Sequence, residues 1–322
     1  MNLDQLRRDY RRVAKPRAVE EVGDIYLIRP LGFGLVELFR RTPLTPTMVS
    51  VLAVLAGWWS AWYYFASGRQ GMVPALAALG AVAVLLHSAL DSADGQLARL
   101  KQLHTPLGRI IDGFCDNLFF AGVYAAILLG HWSRAPEHQL AILVLALLAS
   151  SSHSLQAALV EFQRSLYLEV VHGRGSAIGT DPSAAPTAGR GIGTRLLHEL
   201  YRGYHRKQRF WLRSTARLER FLGQWARTHP GLAGELADRY ESSHRPLLPW
   251  WALLASNSHK AAIIVAAFLP VGSGSFWASL GLGWVFVYNL ALNLVVVALI
   301  PAQARADRRL EEELRALAPL SP

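Results

Sequence analysis

The stretch that decides the fold is residues 85–116, which read LLHSALDSADGQLARLKQLHTPLGRIIDGFCD. An apolar run ends at Asp91 and Asp94, and the next apolar run opens around Asp112 and Asp116. The first pair has the spacing i, i+3 and the second has i, i+4, so each pair shares one face of a helix. Because the connection between the runs is short, we expect antiparallel neighbouring helices whose four carboxylates converge.

The composition is that of a membrane protein. The 322 residues are 52% hydrophobic and 17% charged, whereas about a quarter of the residues in soluble proteins are charged. The net charge of +10 is better explained by cations on a cytoplasmic membrane face than by nucleic-acid binding. The single cysteine, Cys115, excludes an internal disulfide framework and a Cys-based zinc cluster.

Six apolar runs are long enough to cross about 30 Å of hydrocarbon. They are Met48–Ala66, Met72–Leu90, Ile110–Gly130, Leu140–Val160, Trp250–Pro270 and Phe276–Ile300. Arg and Lys concentrate in every second connection and at both ends of the chain, which places the termini and the long connection in the cytoplasm. The polar, basic N-terminal segment predicts no cleavable signal peptide.

The predicted fold is an all-α polytopic membrane protein with an N-terminal interfacial helix and a basic cytoplasmic helical insert. The predicted parts are an N-terminal segment (1–41), spans one to four (42–165), the insert (166–248), spans five and six (249–302) and a tail (303–322). The interfacial helix is Leu31–Arg41. Within the insert, Gly193–Arg227 repeats aromatic residues at helical spacing among arginines. This helix either docks on anionic lipid or a partner subunit, or is a cap with a solvated basic face.

Four carboxylates in a small volume repel each other, and two divalent cations would keep them ionised. Ligation by oxygen alone suits Mg²⁺ or Mn²⁺, and a metal pair suits phosphoryl-type displacement. Between the aspartates, Gly95 lets a ligand approach the backbone, Ala98 keeps a shallow wall, and Gly108 allows close helix approach. Arg99 can hold phosphate with its forked head.

Residues 91–116 match the pattern D-x2-D-G-x2-A-R-x8-G-x3-D-x3-D at all of its defined positions. In this the chain resembles the CDP-alcohol phosphatidyltransferase family. The resemblance implies a six-helix membrane enzyme, usually a homodimer, whose site opens to the cytoplasm. It also implies that the metal ligands are the four aspartates, and that the acceptor hydroxyl, deprotonated by Asp116, attacks the β-phosphorus of a CDP-linked donor and releases CMP. Such an enzyme acts in phospholipid biosynthesis.

The resemblance also implies a pocket for the cytidine nucleotide, lined by Gly95, Ala98, Arg99, Thr105 and Gly108. The family often begins its first span with Pro-Asn-x-x-Thr, and this chain has Pro46-Thr47-Met48-Val49-Ser50. The asparagine is replaced, but the hydroxyls of Thr47 and Ser50 remain as nucleotide contacts.

The motif does not separate acceptors such as glycerol phosphate, inositol phosphate, serine or diacylglycerol. Candidate acceptor contacts are Arg164 at the end of the fourth span and His259 with Lys260 inside the fifth, because a lysine in a span needs a wet cavity or a partner. The donor is CDP-diacylglycerol or, as the alternative, a soluble CDP-polyol of the inositol type. An ion transporter would place its carboxylates near the midplane, and a non-enzymatic scaffold would leave the aspartates unexplained.

Overall fold

The computed structural model describes residues 3–71, 73–103, 106–132, 136–173, 192–269 and 280–319; of residues 106–112, 192–198, 200, 201 and 204 it describes the backbone alone. Every regular element within these ranges is helical. The α-helices are α1 (Leu3–Val13), α2 (Arg29–Phe39), α3 (Pro46–Arg69), α4 (Pro74–Lys101), α5 (Pro106–Trp132), α6 (Gln139–His172), α7 (Ile192–Trp211), α8 (Arg213–Thr228), α9 (Ala233–His244), α10 (Leu248–Ala252), α11 (Ser256–Ala266) and α12 (Trp284–Leu317).

Within the described part of the chain, five helical segments are long and apolar enough to span a membrane, and they lie on α3, α4, α5, α6 and α12. The predicted fifth span, Trp250–Pro270, is not a single helix in its described part, residues 250–269. It consists of α10 with 5 residues and α11 with 11 residues, separated by turns at 253–255. The count of six spans therefore stays a prediction, while the helical fold with several helices long and apolar enough to span a membrane is confirmed for the described residues.

The chain forms two compact units, one of residues 1–152 and 256–290, the other of residues 153–255 and 291–322. In the first unit, glycines let α3 pack tightly against its neighbours. A Cβ on Gly57 would lie 2.5 Å from the Phe119 ring on α5, and one on Gly68 would lie 3.0 Å from the Gly130 backbone. His87 of α4 stacks on Phe119, with ring centroids 3.8 Å apart. These contacts hold α3 and α4 against the same helix, α5.

The N-terminal helices of the first unit pack on α4. A Cβ on Gly32 in α2 would lie 3.0 Å from the Ala89 carbonyl oxygen, and Tyr10 of α1 meets Phe33 edge to face at 5.2 Å. The helix α2 overlaps the predicted Leu31–Arg41, and its position at a membrane interface stays a prediction.

In the second unit, the buried carboxylate of Asp307 on α12 organises the packing. It accepts hydrogen bonds from Thr215 at 2.9 Å and from the Gln303 amide at 2.9 Å, and its Oδ1 lies 3.0 Å from His244 Nε2. The predicted insert helix Gly193–Arg227 consists of two helices here, since α7 ends at Trp211 and α8 begins at Arg213.

Candidate active site

The two aspartates of α4 differ in their surroundings. Asp94 is 4% exposed, and its Oδ2 accepts a hydrogen bond from the Ser50 hydroxyl of α3 at 2.5 Å. Asp91, three residues earlier, keeps 30% of its side chain exposed. The buried aspartate is therefore fixed by a neighbouring helix, whereas the outer one is open to a ligand.

Lys260 of α11 joins the two halves of the aspartate motif. Its ammonium lies 3.3 Å from Asp91 Oδ2 and 3.0 Å from Asp116 Oδ1, and the residue is only 2% exposed. The side chain also passes the Phe119 and Phe120 rings, whose centroids are 5.5 and 5.8 Å from Nζ. A single cation thus bridges carboxylates of α4 and α5, which shows that these two side chains converge.

Asp116 has two further polar neighbours. The Ser256 hydroxyl donates to its Oδ2 at 2.9 Å, and His87 Nε2 lies 3.8 Å from its Oδ1. The other ring nitrogen of His87 is 2.8 Å from the Ala53 carbonyl oxygen, so that this nitrogen carries the proton and Nε2 faces the carboxylate. Neither His87 nor Ser256 was among the site residues predicted from the sequence.

The helix that carries Ser256 and Lys260 is held at its N-terminal end by the N-terminal segment. Glu21 Oε2 accepts from the backbone N–H of Ser258 at 3.0 Å and from its hydroxyl at 3.3 Å. Asp24 Oδ1 accepts from the Asn257 amide at 2.5 Å. Glu21 thus satisfies a backbone donor that the first turn of a helix leaves free, Asp24 holds a side chain of the same turn, and the charge of both carboxylates suits the helix N-terminus.

The predicted nucleotide contacts have different environments where they are described. A Cβ on Gly95 would meet only the Arg99 guanidinium, at 3.6 Å, so there is room beside Gly95, and its contact with the nucleotide stays a prediction. Arg99 Nε donates to the Val13 carbonyl at 2.6 Å. Thr47 is exposed and Ala98 half-buried, whereas Ser50 is buried and turned to Asp94. Thr105 and the surroundings of Gly108 lie outside the described residues.

The three predicted acceptor contacts have different environments. Lys260 contacts the aspartates themselves. His259, which is fully buried, has Nδ1 2.6 Å from the Asn289 side-chain oxygen, and Asn289 in turn donates to the Tyr124 hydroxyl at 2.7 Å. This chain of hydrogen bonds makes His259 a core residue between helices. Arg164 belongs to the second unit, and its role stays a prediction.

The described donor set fits a hard divalent cation in type. Asp91, Asp94 and Asp116 offer carboxylate oxygens alone, which Mg²⁺ and Mn²⁺ prefer, and the Lys260 ammonium already marks a cation position between two of them. Asp112 lies one turn before Asp116 on α5, and its side chain is outside the described part. Among the described side chains, no three acidic, histidine or cysteine groups form a ready metal cluster.

Residues 43–178 match the family model of CDP-alcohol phosphatidyltransferase, so this part of the chain carries a domain of that family. The family consists of membrane-embedded phosphotransferases that take a CDP-alcohol donor and a hydroxyl acceptor and generally depend on divalent metal. The match includes all four motif aspartates and α3 to α6. No curated protein matches the chain at a significant level.

Proposed function

We propose that the protein transfers a phosphatidyl group from CDP-diacylglycerol to an acceptor hydroxyl and releases CMP, as a step of phospholipid biosynthesis. The observation that carries this proposal is the bridge made by Lys260, because it brings Asp91 of α4 and Asp116 of α5 to one cation position. These aspartates lie within the family domain for CDP-alcohol chemistry, residues 43–178, which supports the reaction type. The identity of the acceptor is to be determined by offering several hydroxyl compounds.

In the proposed site, Asp91, Asp94, Asp112 and Asp116 hold two Mg²⁺ or Mn²⁺ ions. When bound, such ions neutralise pyrophosphate charge and stabilise the leaving CMP. Ser50 keeps the Asp94 carboxylate in place, and the open surface at Gly95 admits the donor. Arg99, Ala98, Thr47, Thr105 and Gly108 line the nucleotide side.

Asp116 is the proposed general base. Its carboxylate takes the proton of the acceptor hydroxyl, the oxygen attacks the β-phosphorus, and the bond from that phosphorus to the CMP oxygen breaks. Ser256 donates to Asp116 Oδ2 at 2.9 Å, which orients the carboxylate so that its other oxygen faces Lys260. That lysine then has a second role, since its ammonium can contact phosphate oxygens once metal has neutralised the aspartates.

We further propose that the protein works as a homodimer with both termini and the site on the cytoplasmic side. The alternation of Arg and Lys between connections supports the sidedness, and the family resemblance supports the dimer. The bilayer supplies the lipid donor.

The test is release of CMP by the purified protein in lipid nanodiscs with Mg²⁺ or Mn²⁺. CDP-diacylglycerol and a soluble CDP-inositol are offered as donors with a panel of acceptors, and the products are identified by mass spectrometry. We expect CMP with CDP-diacylglycerol and one acceptor. CMP formed from the soluble donor alone would replace the proposal with the polyol reaction, and no CMP with any pair would favour a transporter or a scaffold.

The base is tested by Asp116→Asn. We expect CMP release to fall by about 10²–10⁴-fold, the usual contribution of a general base, while binding of a CDP-linked donor persists. The matched control is Asp238→Asn, which changes an exposed aspartate of the second unit and should keep full activity. Full turnover by Asp116→Asn would remove the assigned base.

A further inference from the structure

The corner between α7 and α8 exposes two large aromatic side chains. Phe210 is 57% exposed and Trp211 is 45% exposed, and the two rings contact each other edge to face at 5.9 Å. The Arg213 guanidinium lies over the Phe210 ring, 4.5 Å from its centroid. The intervening Leu212 is 2% exposed, so the corner is anchored in its unit while its aromatic surface faces outward.

The contact between α7 and α6 gives the depth of this corner. The Gln208 amide donates to the Ala158 carbonyl of α6 at 2.9 Å. Ala158 lies within the apolar part of the α6 span, and the first charged side chain after it is Glu161. Three residues of α-helix measure about 4.5 Å, so the end of α7 is level with the end of the hydrocarbon-spanning part of α6.

The contacts of α8 give its direction. Near its start, Thr215 bonds to Gln163 of α6 at 3.2 Å and to Asp307 of α12 at 2.9 Å. Near its end, the Trp225 indole donates to the Leu314 carbonyl at 3.2 Å. From Asp307 to Leu314 the axis of α12 rises by about 10 Å away from its apolar part.

Arg209 Nη2 of α7 lies 3.4 Å from Glu219 Oε2 of α8, so α7 folds back along α8 and runs in the opposite direction. Since α8 runs away from the bilayer, the corner is the part of the pair nearest the lipid.

Exposed cations stand one helical turn behind the aromatic residues. Arg206 and Phe210 are i and i+4, and so are Lys207 and Trp211, so each cation shares a helix face with an aromatic ring. Both cations are exposed. Aromatic rings at headgroup depth with Arg or Lys about 6 Å nearer to water are typical of segments that lie in a membrane interface.

Another pair of aromatic residues of the same unit lies at similar depth. Trp251 of α10 donates from its indole to Gln303 of α12 at 3.1 Å, and Gln303 precedes Arg305, the first charged residue after the apolar part of α12. The adjacent Trp250 is 57% exposed. Tryptophan is enriched at this level of membrane proteins.

We propose that the α7–α8 corner, residues 206–213, is a lipid-binding surface that inserts Phe210 and Trp211 among the headgroups of the bilayer and holds anionic headgroups with Arg206, Lys207 and Arg213. The occupant is anionic lipid rather than a protein partner, because the depth set by Gln208 lies at the membrane surface and the side chains that flank the rings are cationic. The proposal depends on α6 crossing the membrane and is independent of the reaction proposed above.

The test is the depth of spin labels by electron paramagnetic resonance, with the full chain in nanodiscs of phosphatidylcholine with or without phosphatidylglycerol. Labels are attached at Phe210→Cys and Trp211→Cys in a Cys115→Ala background. The matched control is Arg227→Cys, exposed at the far end of α8. We expect the ratio of collisions with oxygen to collisions with a water-soluble nickel complex to be several-fold higher at 210 and 211 than at 227. Phosphatidylglycerol should raise the ratio at the corner further.

Equal, water-like ratios at all three positions would overturn the proposal. Labels at the corner that neither oxygen nor nickel reaches would also overturn it, since that result indicates a protein partner such as a second copy of the chain. The charge component is tested in the triple variant Arg206→Gln/Lys207→Gln/Arg213→Gln. We expect it to lose the response to phosphatidylglycerol, and a retained response would overturn the assignment of these cations to anionic lipid.

Discussion

At the scale of single residues, Lys260 contributes a cation to a site made of acids. Its Nζ is 3.3 Å from Asp91 and 3.0 Å from Asp116, and removing one partner of a buried ion pair costs about 3–5 kcal/mol. We expect Lys260→Met to lower the melting temperature in detergent with a chelator present, because two carboxylates lose their counter-charge. Added Mn²⁺ should restore much of the loss, because binding to the folded state stabilises it. Differential scanning calorimetry measures both effects.

The control for this prediction is Lys207→Met, which changes an exposed lysine and should melt like the wild type in detergent. A Lys260→Met protein that melts at the wild-type temperature in chelator would contradict the counter-charge role. One that is destabilised but does not respond to Mn²⁺ would contradict the shared cation position.

The aspartates were predictable from sequence because all four lie within residues 91–116 and each pair has a spacing that places both carboxylates on one helix face. The contacts of Lys260 were predictable only in part: a lysine in an apolar run requires a polar partner, but the sequence pointed to an acceptor instead of Asp91 and Asp116. Ser256 was missed, although it stands four residues before Lys260 and so shares its helix face. The spacing of four residues from Lys260 is the sequence signal that indicates Ser256 as a site residue.

At the scale of elements, α11 depends on the N-terminal segment for its first turn. We expect Glu21→Gln/Asp24→Asn to weaken this attachment, because both carboxylates accept hydrogen bonds there and charge-assisted bonds are worth about 1.5–3 kcal/mol. Ser256 and Lys260 would then be less well placed, so CMP release should fall while KM for the CDP donor changes less. Steady-state kinetics in nanodiscs measures the two parameters.

The comparison for the α11 prediction is Glu37→Gln. Glu37 is also a carboxylate of the N-terminal region, but it pairs with Arg40 at 3.1 Å rather than with α11. We expect near wild-type kinetics from it. Equal effects of the two substitutions would indicate a general loss of stability rather than misplacement of α11.

The break before α11 was missed by the prediction of Trp250–Pro270 as one span. Two apolar stretches, 250–255 and 261–270, flank the polar Ser256-Asn257-Ser258-His259-Lys260, and length and overall hydropathy assign the whole to one helix. The turns at 253–255 separate α10 from α11, and the donors freed there are met by Glu21, which is 237 residues away in sequence. A cap supplied from such a distance leaves no local signature, unlike the side-chain cap of Thr45 at the start of α3.

At the scale of the whole molecule, the second unit contains a buried acid that links its stability to pH. Burial raises the pKa of Glu219 from 4.5 to about 7, although Arg209 partly opposes the shift. The Glu219 carboxyl therefore binds a proton more tightly in the folded protein than in the unfolded chain. The stability that this proton contributes is lost as pH rises from about 4.5 to about 7. We expect Glu219→Gln to flatten that part of the stability profile, measured by thermal melting across pH.

The exposed Glu235 supplies the comparison for Glu219, and Glu235→Gln should keep the wild-type profile. A Glu219→Gln protein with the wild-type slope between pH 5 and 7 would show that another group is responsible.

The membrane character and most of the candidate spans could be predicted from the length and hydropathy of the apolar runs, because both properties belong to contiguous stretches of sequence. The division into units did not, because α6 and α12 each continue from one unit into the other. Asp307 illustrates the reason: its partners Thr215 and His244 lie 92 and 63 residues away in sequence, and no pattern within a single helix reveals them.

The bridge at Lys260 also has a consequence for the order of synthesis. Asp91 leaves the ribosome 169 residues before Lys260, and at about 5–20 residues per second this interval lasts roughly ten to thirty seconds. During that time the aspartates of α4 and α5 enter the membrane without the ammonium that later bridges them. The nascent protein therefore needs a temporary neutraliser, either free divalent cation or bound protons. Magnesium starvation should accordingly impair membrane insertion of the newly made chain more than it impairs the stability of the finished one.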